Sequence, residues 1–333
     1  MATKKRALTG IRATGNLHIG NYLAAIKEGL KLQESFECFY FIADLHSLTS
    51  NRDPKALHNQ SLEIAAAWLA LGLDDETHFL YRQSDIPQVT ELMWYLNCIT
   101  GMGYLQKAHS YKDAVAKDTE VNHGVFAYPV LMAADILLFE PDVVPVGKDQ
   151  KQHVEMARNM AGSFNAIYGE DTLKLPEPMI NEEVMIIPGL DGRKMSKSYG
   201  NQIPLFSTEK ILRKKVMSVT TDSTPLEAPK ELDQTLVGQL YELFTTEEEY
   251  SNLRTKLAAG GMGWGHAKEE LFSVINRELS DARERYFTIR EDEESLIKRL
   301  LVGKEKALSI CLPILEKIRK AQGLPSSSLS STS

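Results

Sequence analysis

The chain has 333 residues, 43% of them hydrophobic and 25% charged, with a formal net charge of −7. That length suggests about two domains with substantial cores, and the acidic balance argues against indiscriminate nucleic-acid binding while leaving room for a local basic face. No apolar run reaches the roughly 18 residues of a membrane span, and the basic opening "MATKKRALTG" carries no apolar signal core. Cys38, Cys98 and Cys311 are far apart and form no C-x-x-C pair, which predicts three buried thiols and gives no support to a zinc site. A cytoplasmic protein is expected.

"RALTGI" reads as a short strand that ends in "RATGN", and the following "HIGNYLAAIKEGLKLQES" has helical spacing at Ile19, Leu23, Ile26 and Leu30. "ECFYFIADLHSL" has the near-continuous apolar character of a buried parallel strand. Asp53 and Pro54 form the start signal of a second helix, and "THFLYRQS" reads as a third strand. Strand alternating with helix predicts a doubly wound parallel sheet with right-handed crossovers. From about 87 to 140 the pattern is mostly helical, an insertion between strands. "DVVPVG" returns to strand and leads into a long helix, and "EVMIIPGL" is expected to be the last strand. The first domain is therefore 1–206, the amphipathic helical region 207–323 is a second, and 324–333 is a low-complexity tail.

Two segments carry chemistry. In "TGNLHIGN", Gly15 and Gly20 allow close backbone approach at a strand–helix junction, where open sheets bind ligands, and His18 and Asn21 are neutral donors on one turn. Alone, that turn is more often a helix cap than a site. In "GLDGRKMSKSYGN", two lysines and two serines sit between glycines, as a solvated turn or as a grip on a polyphosphate. Its place after a strand, late in the chain, makes it a second wall for the same crevice.

The pairing of "HIGN" with "KMSKS" resembles the two signatures of class I aminoacyl-tRNA synthetases. "YPVLMAADILLF", "VPVGKDQKQH" and "VTTDS" are similar to segments of the tryptophanyl-tRNA synthetase family, and the likeness runs over nearly the whole chain. The resemblance implies a Rossmann-like catalytic domain and ATP-dependent activation of L-tryptophan. The aminoacyl-adenylate then passes to tRNA(Trp), with release of AMP and pyrophosphate. It also implies Mg²⁺ carried on the phosphates, attachment at the terminal ribose 2′-OH, and a homodimer built through the inserted helices. His18, Asn21, Lys194 and Lys197 would be catalytic. ATP would lie against Arg12, Ala13, Thr14, Gly20 and Asn21, with Gly147, Lys148 and Asp149 beside the ribose and Lys194, Met195, Ser196, Lys197 and Ser198 closing over the phosphates.

The helix "YPVLMAADI" would line an indole pocket, with Tyr128, Met132 and Asp135 on one face by their spacing. An indole N–H is a donor only and needs one buried acceptor, which Asp135 supplies; an unpaired carboxylate in so apolar a stretch would otherwise be expensive. Gln150 would face the amino-acid ammonium or carboxylate, and His46 could pack on the ring. Two departures stand out. Many bacterial members have Gln-Pro-Ser where this chain has Arg12-Ala13-Thr14, and a glutamate in place of Lys148. Lys210, Arg213, Lys214, Lys215, Lys317, Arg319 and Lys320 are candidates for a tRNA face. The rival readings are a tyrosyl-tRNA synthetase of the same architecture and a catalytically inactive RNA-binding paralogue.

Overall fold

The computed structural model describes residues 4–116, 121–147, 150–180 and 187–325. Strand β1 (Arg6–Arg12) leads through the "TGNLHIGN" turn into helix α1 (19–31), which contains a π-helical segment at Tyr22–Ile26. Strand β2 (Glu37–Ala43) pairs with β1 in parallel from Arg6↔Glu37 to Arg12↔Ala43. Helix α2 (Pro54–Ala70) starts on Asp53, whose side chain accepts from the N–H groups of Lys55 and Ala56, and strand β3 (Phe79–Arg82) follows. The insertion supplies α3 (Gln88–Ile99), α4 (His109–Ala116) and α5 (His123–Leu137). Strand β4 (Val143–Val146), helix α6 (Lys151–Tyr168) and strand β5 (Glu177–Ile180) complete the sheet.

The five strands are parallel in the order β3-β2-β1-β4-β5, so strand order reverses between β1 and β4. The crevice beyond the carboxyl ends of those two strands is where such sheets bind ligands. The fifth described strand is one the sequence reading did not single out. It is "EPMI", upstream of the expected "EVMIIPGL", of which residues 183–186 lie outside the described residues. Pro178 is tolerated in this strand because β5 is at the sheet edge.

Alternation along β2 fills both faces. Cys38, Tyr40 and Ile42 join a core with α2, while Phe39, Phe41 and Ala43 join a second core with α3, α5 and α6. Cys38 and Cys311 are buried as expected, but Cys98 is exposed, on the outward side of α3 together with Trp94. The later helices are α7 (Glu209–Met217), α8 (Leu236–Glu242), α9 (Glu247–Ala258), α10 (Trp264–Glu291) and α11 (Glu293–Ala321). No helix among the described residues is long and apolar enough to cross a membrane.

Helix α11 returns to the sheet. Leu296 and Leu300 enter the first core, and Ala307, Cys311, Leu315 and Ile318 enter the second. Between them Gly303 crosses β3 so closely that a Cβ there would stand 1.8 Å from the carbonyl oxygen of Leu80. The helix thereby covers an edge strand that would otherwise be open to pairing. Charges fix it along its length. Arg299 is paired with Asp75, the Lys306 ammonium donates to the carbonyls of Asp75 and Glu76, and Lys317 pairs with Glu140 at 2.7 Å. Arg319 holds Glu91 of α3 through two bonds of 2.6 Å. Lys317 and Arg319, two of the candidates for a tRNA face, therefore also tie the last helix to the rest of the molecule.

Gly303→Ala should be strongly destabilising, because the clash is with β3 backbone that cannot swing away, and overpacking of this kind costs about 1–3 kcal/mol or more. A thermal scan should show the unfolding midpoint lowered by several degrees. A midpoint equal to that of the parent would mean the helix does not approach the strand so closely.

Candidate active site

The turn after β1 is built for close approach. Gly15 has φ +61°, a left-handed conformation that a side chain resists, and its missing Cβ leaves the space taken by the Lys197 side chain. Ala13 is buried, and the Thr14 N–H donates to the Arg12 carbonyl. His18 is the N-cap position of α1, where its own N–H donates to Asn21 Oδ1 at 3.1 Å. The Asn21 amide nitrogen is left as a donor.

The lysine-serine loop is a tight structure organised by Asn201, which the sequence reading did not single out. Its buried amide donates to Asp191 Oδ1 at 2.7 Å and to the Lys194 carbonyl at 3.2 Å, and its oxygen accepts from the Ser196 N–H at 2.9 Å. Backbone bonds Gly189 N–H to Arg193 O and Met195 N–H to Ile187 O close the hairpin. Ser196 Oγ accepts from the Ser198 N–H, while Met195 is buried in the core, so that its backbone is what it offers to a ligand. Lys194 and Lys197 remain on the surface side. The Thr220 N–H and hydroxyl both donate to Leu190 O, and Asp222 accepts from the Trp264 indole at 2.7 Å, linking "VTTDS" to the loop and to α10.

The two segments meet. The Lys197 ammonium donates to the Thr14 carbonyl, His18 forms a bridge with Pro204, and Ile19 and Leu205 donate their N–H groups to Ile203 and Leu17. Burial, aided by the nearby Lys197 charge, lowers the His18 pKa to about 4. The ring is therefore neutral at physiological pH, a polar donor beside a cationic loop. Gly147 lies at the end of β4, its carbonyl accepting from the Gln150 N–H, whereas Lys148 and Asp149 lie outside the described residues.

A cavity of roughly 880 Å³ opens beside this junction, lined by Arg12, Thr49, Val125, Tyr128, Gln150 and His153 among others. Arg12 reaches it from β1, its Nη2 donating to His46 O, Thr49 Oγ1 and Ser50 Oγ, with its guanidinium 5.9 Å from the Tyr128 ring centre. The Tyr128 ring packs on His46 at 4.4 Å, and Met132 is half-buried on the same helix. Asp135 stands one contact behind this wall and is only 2% exposed.

Asp135 does not depend on a ligand alone for partners. Its Oδ2 accepts from His46 Nε2 at 2.9 Å, and both oxygens accept from Gln83 Nε2 at 2.8 Å. A carboxylate has about four acceptor positions, so the less-occupied Oδ1 retains room for a further donor. Burial raises the Asp135 pKa, and the bonds from His46 and Gln83 oppose that rise. Gln83 was also missed by sequence reasoning. The available signal was a glutamine directly after an apolar strand, at the carboxyl end where ligands gather.

Comparison with known proteins decides the family. The sequence model of the class I tRNA synthetases for tryptophan and tyrosine matches residues 2–280. The chain belongs to this family. It is 46% identical over 320 residues to the tryptophan–tRNA ligase of Fusobacterium nucleatum, covering 96% of this chain and 98% of the relative. Against the enzyme of the same name from Xylella fastidiosa it is 48% identical, over 97% of this chain and 77% of the relative. Among solved structures, tryptophanyl-tRNA synthetase from Campylobacter jejuni, complexed with ADP and tryptophan, superimposes with a TM-score of 0.92. The identity there is 46%, over 96% of this chain and 100% of that one. Class I membership accounts for the meeting of "HIGN" and "KMSKS" at the β1/β4 switch point.

The His18 environment predicts a titration. Followed by NMR, the His18 ring should show a midpoint near 4. Lys197→Ala should move it part of the way up toward 6.5, because burial, the larger cause, remains. The folded-state value lies below the unfolded one, so the unfolded chain takes up the proton first and stability declines as pH falls from 6.5 to about 4. An unchanged midpoint in the variant would separate the two loops.

Proposed function

We propose that the chain activates L-tryptophan with ATP, forming tryptophanyl-adenylate and pyrophosphate, and then transfers the tryptophanyl group to the 3′ end of tRNA(Trp) with release of AMP. The observation that carries this reading is the contact of the Lys197 ammonium with Thr14, beside a neutral His18, at the sheet's switch point. That arrangement is suited to a polyphosphate, and a nucleophile that is already a carboxylate needs no general base. Positioning and charge neutralisation are what phosphoryl-type transfer requires.

In the first step a tryptophan carboxylate oxygen bonds to the α-phosphorus and the bond to the β-phosphate oxygen breaks. Lys194 and Lys197 neutralise the departing pyrophosphate, and His18 and Asn21 donate to phosphate oxygens on the opposite side. Arg12, Ala13, Thr14, Gly20 and Ser196–Ser198 form the walls of the nucleotide site, with Gly147 on its ribose side. ATP arrives as its magnesium complex. In the second step the terminal ribose 2′-OH attacks the carbonyl carbon and AMP leaves.

The amino-acid side chain enters between Tyr128 and Met132 toward Asp135, while Gln150 and His46 complete the pocket. Tyrosine is the poorer candidate, because its hydroxyl is at the ring tip and does not present a donor where an indole does. The helical region after Ser207 is proposed as the tRNA-binding unit. Lys210, Lys214 and Lys215 are its better candidates, since Arg213 pairs with Glu269. In the inserted region Trp94 of α3 and Met102, just after that helix, are 66% and 65% exposed, which supports a homodimer built through the region. The proposed location is the cytoplasm.

Amino-acid-dependent ATP–pyrophosphate exchange across the twenty amino acids should respond to tryptophan alone. Lys197→Ala should slow that exchange about 100-fold or more, leaving the KM for tryptophan little changed. Exchange driven by tyrosine, or a variant as fast as the parent, would overturn the assignment.

A further inference from the structure

Gln83 is not one of the residues that line the cavity, is 0% exposed, and uses both ends of its amide. Its Oε1 accepts from the His46 N–H at 3.2 Å, which compels Nε2 to face Asp135, where it spans both carboxylate oxygens at 2.8 Å. The opposite rotamer would set an amide oxygen against a carboxylate. The backbone around it is equally constrained. The Ser84 N–H and hydroxyl donate to Asp44 at 2.9 and 2.5 Å, and the Leu45 N–H donates to the same carboxylate at 2.9 Å. The carboxyl ends of β2 and β3 are thus laced together before either reaches α5. So polar a residue in an apolar interior is retained at a cost unless every group is matched, and here each is.

We propose that Gln83 is the positioning residue that orients Asp135 toward the indole N–H, and so carries part of the choice of amino acid. The inference rests on the activity proposed above. Gln83 and His46 occupy the two lobes of Oδ2 and one of Oδ1. The remaining Oδ1 position has a fixed direction only while the amide holds the carboxylate plane. A carboxylate free to rotate would meet the ring donor in a range of orientations, and geometry-dependent discrimination would fall.

Gln83→Met keeps the side-chain length and removes both polar ends. Pyrophosphate exchange should be measured with tryptophan and with benzothienylalanine, whose sulfur replaces the N–H in a ring system of similar shape. In the variant, kcat/KM for tryptophan should fall about 10- to 100-fold, the loss associated with one hydrogen bond to a charged group. The fall should lie mainly in KM. The KM for ATP and the rate with benzothienylalanine should hold, so that the ratio of the two substrates shrinks by the same factor. A parallel loss with both substrates would make Gln83 merely structural and overturn the inference. A second measurement needs no variant: the Gln83 side-chain amide resonances of the parent protein should shift with tryptophan and stay in place with benzothienylalanine. Equal shifts with both would also overturn it. A parent protein that activates no tryptophan removes the activity and this inference together, whereas activity with an unchanged substrate ratio removes the inference alone.

Discussion

A carboxylate held almost wholly out of water at position 135 constrains everything around it. Isolated, it would take up a proton or destabilise the fold, since burial disfavours the charged form. His46 from the end of β2 and Gln83 from the end of β3 prevent this, so two strands and α5 must keep a fixed relation for the acceptor to survive. The cost of the buried charge is thereby converted into geometric precision. Sheet strands are the stiffest available support for such a group, and the acceptor is placed at their carboxyl ends.

The other half of the proposed reaction depends on repulsion between like charges. Lys194 and Lys197 cluster in a short hairpin whose backbone is bracketed by Asn201. Lys197 rests on the Thr14 carbonyl, and the adjacent histidine stays neutral because a second charge there would be opposed by both burial and the lysine. A polyphosphate would supply the missing negative charge. The hairpin is also connected outward. Thr220 and Asp222 link it to α10, Phe206 stacks on Tyr286 of that helix at 4.3 Å, and Glu278 of the same helix accepts from the Tyr22 hydroxyl at 2.7 Å. Tyr22 opens the π-helical segment that follows Asn21, a local distortion often found at functional sites.

Much of this was legible in the sequence, because strands and phosphate loops are local signals. The apolar run of β2, the Asp53-Pro54 helix start and the glycine-flanked lysines each depend on neighbours in the chain. What escaped depends on long separations. Gln83 and Asp135 are 52 positions apart, and nothing in either segment announces the other. The ion pairs of Lys317 and Arg319 could not be read either, because their partners, Glu140 after α5 and Glu91 of α3, are far away in the chain. The strand at "EPMI" was passed over for a more apolar neighbour, whose continuous apolar run is the stronger local signal. Asn201 resembled one more polar loop residue until its side-chain bonds to Asp191, Lys194 and Ser196 were visible.

The proposed reading of the indole N–H by Asp135 is tested most directly by kcat/KM for tryptophan and phenylalanine in pyrophosphate exchange, compared between the parent protein and Asp135→Ala. Phenylalanine lacks the donor and leaves a buried acceptor unmatched, which can discriminate by about 10⁴-fold. The account predicts a large tryptophan preference in the parent that collapses in a folded variant whose ATP affinity persists. A folded variant that keeps the parent's preference for tryptophan would contradict it.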